Sequence, residues 1–146
     1  RSADSASMTG TNFSSWWNQG QGAFTFEGYS TNAGRAFSVV DGSGNRTIDM
    51  YFAATTASAY SNNGVNTNPF ATGLTSAKKM AVSITSPYLL SANGQSTVSA
   101  SATISVVPNQ LVIGAYSSSY ANSWIKRLSY YPLALTSAQI QALTTI

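Results

Sequence analysis

Residues 77–86 read AKKMAVSITS, and within them Met80, Val82 and Ile84 alternate with small or polar neighbours. A period of two puts those three side chains on one face of a strand, the pattern of a sheet with one dry side. The same alternation runs through residues 23–30, where Phe24, Phe26 and Gly28 oppose Thr25, Glu27 and Tyr29. It recurs in residues 46–54, where Ile48, Met50 and Phe52 oppose Asp49 and Tyr51. Residues 35–41 form a further strand, and Glu27 and Arg35 are expected as a cross-strand pair, contributing roughly a few tenths of a kcal/mol if exposed. Residues 3–8 alternate weakly and predict an edge-like strand before Thr9-Gly10. Asp41-Gly42-Ser43-Gly44-Asn45 reads as a turn, and Asn93-Gly94, after a strand over 88–92, is a two-residue hairpin signal. Periodicity fades over 55–76, where Asn62-Asn63-Gly64 and Asn68-Pro69 mark breaks. From Ser96 onward Val98, Ala100, Ala102, Ile104 and Val106 alternate strictly, which by pattern alone is one long strand.

The end of the chain carries the most concordant signals. Leu111-Val112-Ile113 is a short apolar strand ending at Gly114. After a Ser/Tyr/Asn-rich loop, residues 124–131 form a strand with Ile125, Leu128 and Tyr130 inward. A spacing of three and then two breaks alternation, so a bulge is expected at Lys126-Arg127 that turns both cations outward. Pro132 ends the pairing because it has no N–H to donate. A helix then starts at Thr136 as N-cap, with Gln139 positioned to close a capping box and Leu135 to staple onto Ile140. Ile140 and Leu143 give it one apolar side, and being short it must dock on something larger. Nearer the start, Asn12 is expected to cap one helical turn that crosses one mouth of the sandwich, with Phe13 and Trp16 read as core. Recurrent short strands, many turns and one late helix predict an all-β fold, a two-sheet antiparallel sandwich forming a single domain over residues 1–146.

The run IKRLSYYPLALTSAQIQALT, preceded by the "L-x-IG" of Leu111, Ile113 and Gly114, is similar to the C-terminal end of concanavalin A-like lectin/glucanase (laminin-G-like) domains of bacteriophage virion proteins. MTGTNFSSWWNQGQGAFTFE, followed by RAFSVVDGSGNR, resembles the N-terminal half of the same domains. The resemblance implies a jelly-roll sandwich, and it implies that the strand after Ser96 stops near Ala100 and gives way to a polar loop. It also implies a virion location, as the terminal domain of a tail fibre, tail spike or related appendage; the opening on Arg1 is expected for a piece of a longer protein. One departure is visible. Where the resembling domains continue with a "QSEG"-like run, this chain has Gln19-Gly20-Gln21-Gly22 and lacks the glutamate.

Composition narrows the function. Charged residues are 8% of the 146, so the surface is made of Ser, Thr, Asn, Gln and Tyr, which suits sugar contacts and equally suits solubility. The net charge of +3 is scattered, without the basic stripe that nucleic-acid binding needs. No apolar run approaches the roughly 20 residues of a membrane span. Cysteine and histidine are both absent, which removes a thiolate metal site, a cysteine nucleophile and the commonest general base. Glucanases that share this fold carry their acids two residues apart on one strand face, whereas the acids here are Asp4, Glu27, Asp41 and Asp49. The chain is therefore read as no enzyme, with no cofactor. The turn at Asp41 is not a calcium loop either, since Phe52 stands where a bidentate glutamate would; a calcium held between separate loops stays the one alternative.

Aromatics and amides in loops or at strand ends are the candidates for stacking on a sugar's apolar face: Trp16, for which the core reading is favoured, with Trp17, Asn18, Tyr60, Asn62, Asn63, Tyr116, Tyr120, Asn122 and Trp124. Trp124 stands where the resembling domains tend to carry a smaller or polar residue, and two readings stay open for it, burial or exposure, the latter in a ligand groove or in a subunit contact. Lys78-Lys79 and Lys126-Arg127 are most simply solvated charges, the alternative being that they read acidic sugars or phosphates. The reading is a non-catalytic module that binds bacterial surface glycan as part of a homo-oligomeric phage appendage. The alternatives are a structural or decoration domain acting through subunit contacts and, third, an enzyme-accessory binding module.

Overall fold

The computed structural model describes residues 6–30, 32–61, 70–71, 73–74, 77–101, 105–116, 119–120 and 123–146. Among them the strands form two large antiparallel sheets. One has the order β1 (Ala6–Thr9), β10 (Gln110–Ile113), β3 (Gly34–Val40), β4 (Arg46–Phe52), β5 (Ala57–Ser61), β6 (Phe70–Ala71). The other runs β13 (Ser123–Tyr131), β2 (Gly22–Ser30), β7 (Ala77–Ile84), β8 (Tyr88–Ala92), β9 (Val98–Ala100). A small hairpin of β11 (Ala115–Tyr116) and β12 (Ser119–Tyr120) lies against β3. The expected all-β, two-sheet sandwich with one late helix is what the chain adopts.

Alternation decides which side chains meet between the sheets. Phe24, Phe26, Met80, Val82, Ile84 and Leu90 come from one sheet and Phe37, Val39, Ile48, Met50 and Phe52 from the other, all buried. Phe24 and Phe37 meet at 4.5 Å between ring centroids and Phe26 and Phe52 at 5.6 Å, so aromatic pairs join the layers along their length. Phe13, on the single turn α1 (Thr11–Ser14), closes one mouth as expected, and Trp16 packs edge-on against it at 4.9 Å. Gly10, at φ 58, stands at the N-cap of that turn in place of the expected Asn12, and no side chain caps it. The Asn12 carbonyl instead accepts from the Trp16 indole at 2.7 Å.

The helix α2 (Ser137–Thr144) starts as expected, with Thr136 and Gln139 forming both halves of a capping box. It lies on the outer face of β7 and β8. That face carries Ala81, Ser83 and Ser91, all buried, and their small side chains let the helix come close. Ile140 and Thr144 are its buried residues. Ser91 Oγ and Thr144 Oγ1 are 2.9 Å apart, and Ser83 Oγ accepts from the Leu135 N–H. Asn93 and Gly94 both take positive φ, 49° and 73°, the conformation of a tight two-residue hairpin turn.

Two expectations about charge are overturned. Glu27 and Arg35 do not pair, because the short connection between β2 and β3 carries the chain from one sheet to the other rather than making a hairpin. Arg35 instead donates to Asp49 at 2.7 Å, and Arg46 donates to the same oxygen at 2.9 Å. Glu27 pairs with Lys126 at 2.7 Å. Lys78 is not a solvated charge. It falls in the inward row with Met80 and Val82, is 2% exposed, and donates from Nζ to the Ala54 carbonyl at 2.9 Å.

Burial holds the Lys78 ammonium below the ordinary lysine range. Between the folded and unfolded values the unfolded chain binds more protons, so this group makes stability rise with pH across that interval. Thermal unfolding followed from about pH 7 to about 10.4, the ordinary lysine value, is expected to show wild type gaining on Lys78→Met as pH rises. A difference between the two that stays constant with pH would contradict this account of Lys78.

Candidate functional site

The bulge in β13 determines what faces outward beside β2. Ile125 stands opposite Gly28 and Arg127 opposite Glu27, so Lys126 is the extra residue. Leu128 and Tyr130 then fall opposite Phe26 and Phe24 on the inner face, as their spacing predicts. Lys126 and Arg127 are both exposed. At the start of the same strand, Trp124 stands across from Tyr29 on the outer face. Trp124 is 82% exposed and Tyr29 47%, large apolar areas for one end of a sheet.

These two rings border an open groove of about 450 Å³ at the end of the sheet, where β2 finishes and β7 and β13 begin. Gly28 and Ile125 line it from the β2–β13 pair, and the exposed Ile146 from beyond α2. Its charged lining is Glu27, Lys78, Lys79 and Lys126. The Lys126 hydrogen bond, followed by the charges of Lys126, Lys79 and Arg127, holds the Glu27 carboxyl below the usual carboxylate range against the opposing effect of desolvation. Lys79 donates from Nζ to the Thr145 carbonyl at 2.9 Å, which ties the strand to the end of the helix. An apolar platform rimmed by cations can hold a ring by its face and fix its substituents by charge.

Of the aromatic and amide candidates read from the sequence, Trp124 alone is described in this groove. Trp17 is half-buried, stacked on Phe13 at 5.6 Å and on Tyr130 at 5.8 Å, with its indole donating to Gln19. Asn18 is spent on structure: its N–H donates to the Tyr130 hydroxyl, its Nδ2 to the Pro132 carbonyl, and its Oδ1 accepts from Gly20. Tyr60 belongs to the other sheet, edge-on to Tyr51 at 6.0 Å. The backbones of Tyr116 and Tyr120 form the hairpin on β3, and their side chains lie outside the described ones. Asn62, Asn63 and Asn122 lie outside the described residues altogether. Tyr29 and Ile146 were missed, and Lys79 and Lys126, named as solvated charges or as readers of acidic sugars, were not linked to Trp124, because strand pairing and helix docking bring them together and no local motif does.

A second polar cluster lies on the other sheet. Asp49 is fully buried beneath Arg35 and Arg46, and Arg35 stands over the Tyr51 ring at 5.9 Å. Asp49 Oδ1, Ser38 Oγ and Ser58 Oγ are buried with no hydrogen-bond partner among the described residues. Asp41 is used by its own turn, accepting from Asn45 and Ser43, and these bonds, the Asn45 amide first, keep its carboxyl below the usual range. Among the described residues no three His, Cys, Asp or Glu side chains come together as a metal site.

Comparison with known proteins adds information on the fold. No family model and no curated protein sequence matches the chain. Among solved structures, the chain is similar to the CBM40 module of the Ruminococcus gnavus IT-sialidase, with a TM-score of 0.71 and 14% identity over 88% of this chain and 84% of that one. It is similar to the NanB sialidase from Streptococcus pneumoniae, with a TM-score of 0.70 and 11% identity over 96% of this chain and 27% of that one. The binding domain of botulinum neurotoxin DC in complex with SialylT matches with a TM-score of 0.68 and 8% identity over 96% of this chain and 38% of that one. At these identities the likeness is one of fold.

Gly28 fixes the position of Trp124. A Cβ at residue 28 would stand 2.5 Å from the Trp124 carbonyl oxygen and 2.6 Å from Phe26 Cζ, so Gly28→Ala must push β13 away from β2. The expected cost is about 1–3 kcal/mol, read as a lower denaturation midpoint. Unchanged stability in Gly28→Ala would mean that β13 is not held in this register.

Proposed function

We propose that this chain is a non-catalytic glycan-binding module and that Trp124 is its binding platform. The observation that carries the reading is a tryptophan 82% exposed beside an open groove of about 450 Å³, on a strand whose inward side chains, Ile125, Leu128 and Tyr130, are half-buried against the core. A domain of this size gains nothing from exposing its largest side chain to water, and indole over an apolar groove suits the C–H face of a sugar ring. Solved structures of the same fold include a carbohydrate-binding module and a toxin binding domain in complex with SialylT, which supports the reading by analogy.

The finer assignment is a receptor-binding domain of a phage tail fibre, tail spike or related appendage, on the virion surface and in contact with other virion subunits. Its ligand is a glycan of the bacterial surface. This part rests on the similarity of MTGTNFSSWWNQGQGAFTFE and IKRLSYYPLALTSAQIQALT to virion domains. Single sites of this size bind weakly, and several copies on one appendage raise avidity without any new contact.

The test is binding of the domain, displayed multivalently, to an array of bacterial glycans and lipopolysaccharides, with Trp124→Ala beside the wild type. The variant removes an exposed side chain and is expected to melt like wild type while losing about 2 kcal/mol of binding, roughly thirtyfold in Kd. Binding that survives in Trp124→Ala would move the site elsewhere. No binding by the folded wild type, together with self-association that Trp124→Ala abolishes, would establish the structural or decoration reading instead.

A further inference from the structure

The charge around the groove names the kind of glycan, an inference that rests on the glycan reading of Trp124. Among the described side chains, Lys78, Lys79 and Lys126 line the groove against one carboxylate, that of Glu27, and Arg127 stands opposite Glu27 in the strand register. The chain carries only seven cationic side chains, so four of them around one end of one sheet is a local concentration. Lys126 is 75% exposed and holds Glu27 at 2.7 Å, an ion pair in water that exchanges partners at little cost. Lys79 has a neutral carbonyl, that of Thr145, as its partner, so that contact does not cancel its charge. Lys78 is directed to the Ala54 carbonyl and contributes field from beneath rather than contact.

We propose that the groove selects a glycan residue bearing an anionic substituent beside an apolar ring face. Trp124 takes the ring, and the anion binds between Lys126 and Lys79. In the free chain Glu27 occupies Lys126 and therefore competes with the ligand's anion. Removing the Glu27 charge should then tighten binding of acidic glycans, whereas a carboxylate that served the ligand would be missed on removal.

The experiment is titration with two matched pairs of probes, 3′-sialyllactose against lactose and dextran sulfate against dextran, at low and high salt. Wild type is compared with Glu27→Gln, Lys79→Gln, Lys126→Gln and Trp124→Ala, each checked by thermal melting. The acidic member of at least one pair is expected to bind about tenfold more tightly than its neutral partner, with the advantage shrinking at high salt. Lys126→Gln and Lys79→Gln are expected to reduce that advantage, and Glu27→Gln to raise affinity severalfold for the acidic member alone. Preference for the sialylated or for the sulfated member identifies the anion as carboxylate or sulfate. Equal binding of acidic and neutral members, still lost in Trp124→Ala, overturns the charge selection and leaves the glycan reading standing. Binding that Trp124→Ala does not change, or no binding to any of the four probes, overturns the inference as well.

Discussion

The structure depends on a single extra residue in β13. With Lys126 bulged out, Ile125, Leu128 and Tyr130 all reach the inner face, although their spacing of three and then two could not do so in a regular strand. A slip of one residue in this pairing would exchange the two faces beyond it, putting Leu128 and Tyr130 into water and Arg127 and Ser129 into the core. The cost would be large, because Tyr130 contacts Phe24, Trp16 and Trp17 and closes one mouth of the sandwich. The same bulge leaves Lys126 free to reach Glu27 and keeps Trp124 on the outer face. One irregularity thus serves the core at one end of the strand and shapes the groove at the other.

The two outer faces are used differently. On the five-stranded sheet, α2 covers Ala81, Ser83 and Ser91, and the groove lies where that cover ends, with Ile146 at its border. On the six-stranded sheet, β3 is buried along nearly its whole length, with the β11–β12 hairpin against it. There Asp49 satisfies two arginines at once, and breaking a buried charged arrangement of this kind by removing one member costs several kcal/mol. Both arginines are committed to Asp49 Oδ2, whereas Trp124 has its face open to solvent. That contrast is why the groove, and not the arginine cluster, carries the functional reading.

Much of the fold was legible from residues whose chemistry is local. Thr136 and Gln139 announce the helix start because a capping box is completed within four residues, and Asn93-Gly94 announces a turn because few pairs tolerate positive φ twice. The bulge was legible because Ile125 and Leu128, three residues apart, must both be inside. The strand β5 was not, since its inward residues are Ala57 and Ala59, too small to show a period against Tyr60. Lys78 was misread because a lysine in an inward row looks polar in sequence, while its stem packs and its ammonium finds a carbonyl at the rim. Trp124 could be named as a candidate from its loop-side position, while its exposure was settled only by the strand pairing that places it on the outer face. Its companions Tyr29 and Ile146 could not, and Lys79 could be named only as a cation without its place beside Trp124, because these residues reach it through pairings between distant segments; the Glu27–Lys126 pair exists only once the strand from which Lys126 bulges lies beside β2.

The most direct test of the account uses the three tryptophans as reporters. Each indole N–H gives its own NMR signal, and Trp16 and Trp17 are held by Asn12 and Gln19 at the opposite, closed end of the packing. Titration with a glycan that binds is predicted to move the Trp124 indole signal progressively, with the Lys126 and Lys79 amides, while those of Trp16 and Trp17 stay in place. Movement of Trp16 or Trp17 with Trp124 unchanged would contradict the assignment of the groove.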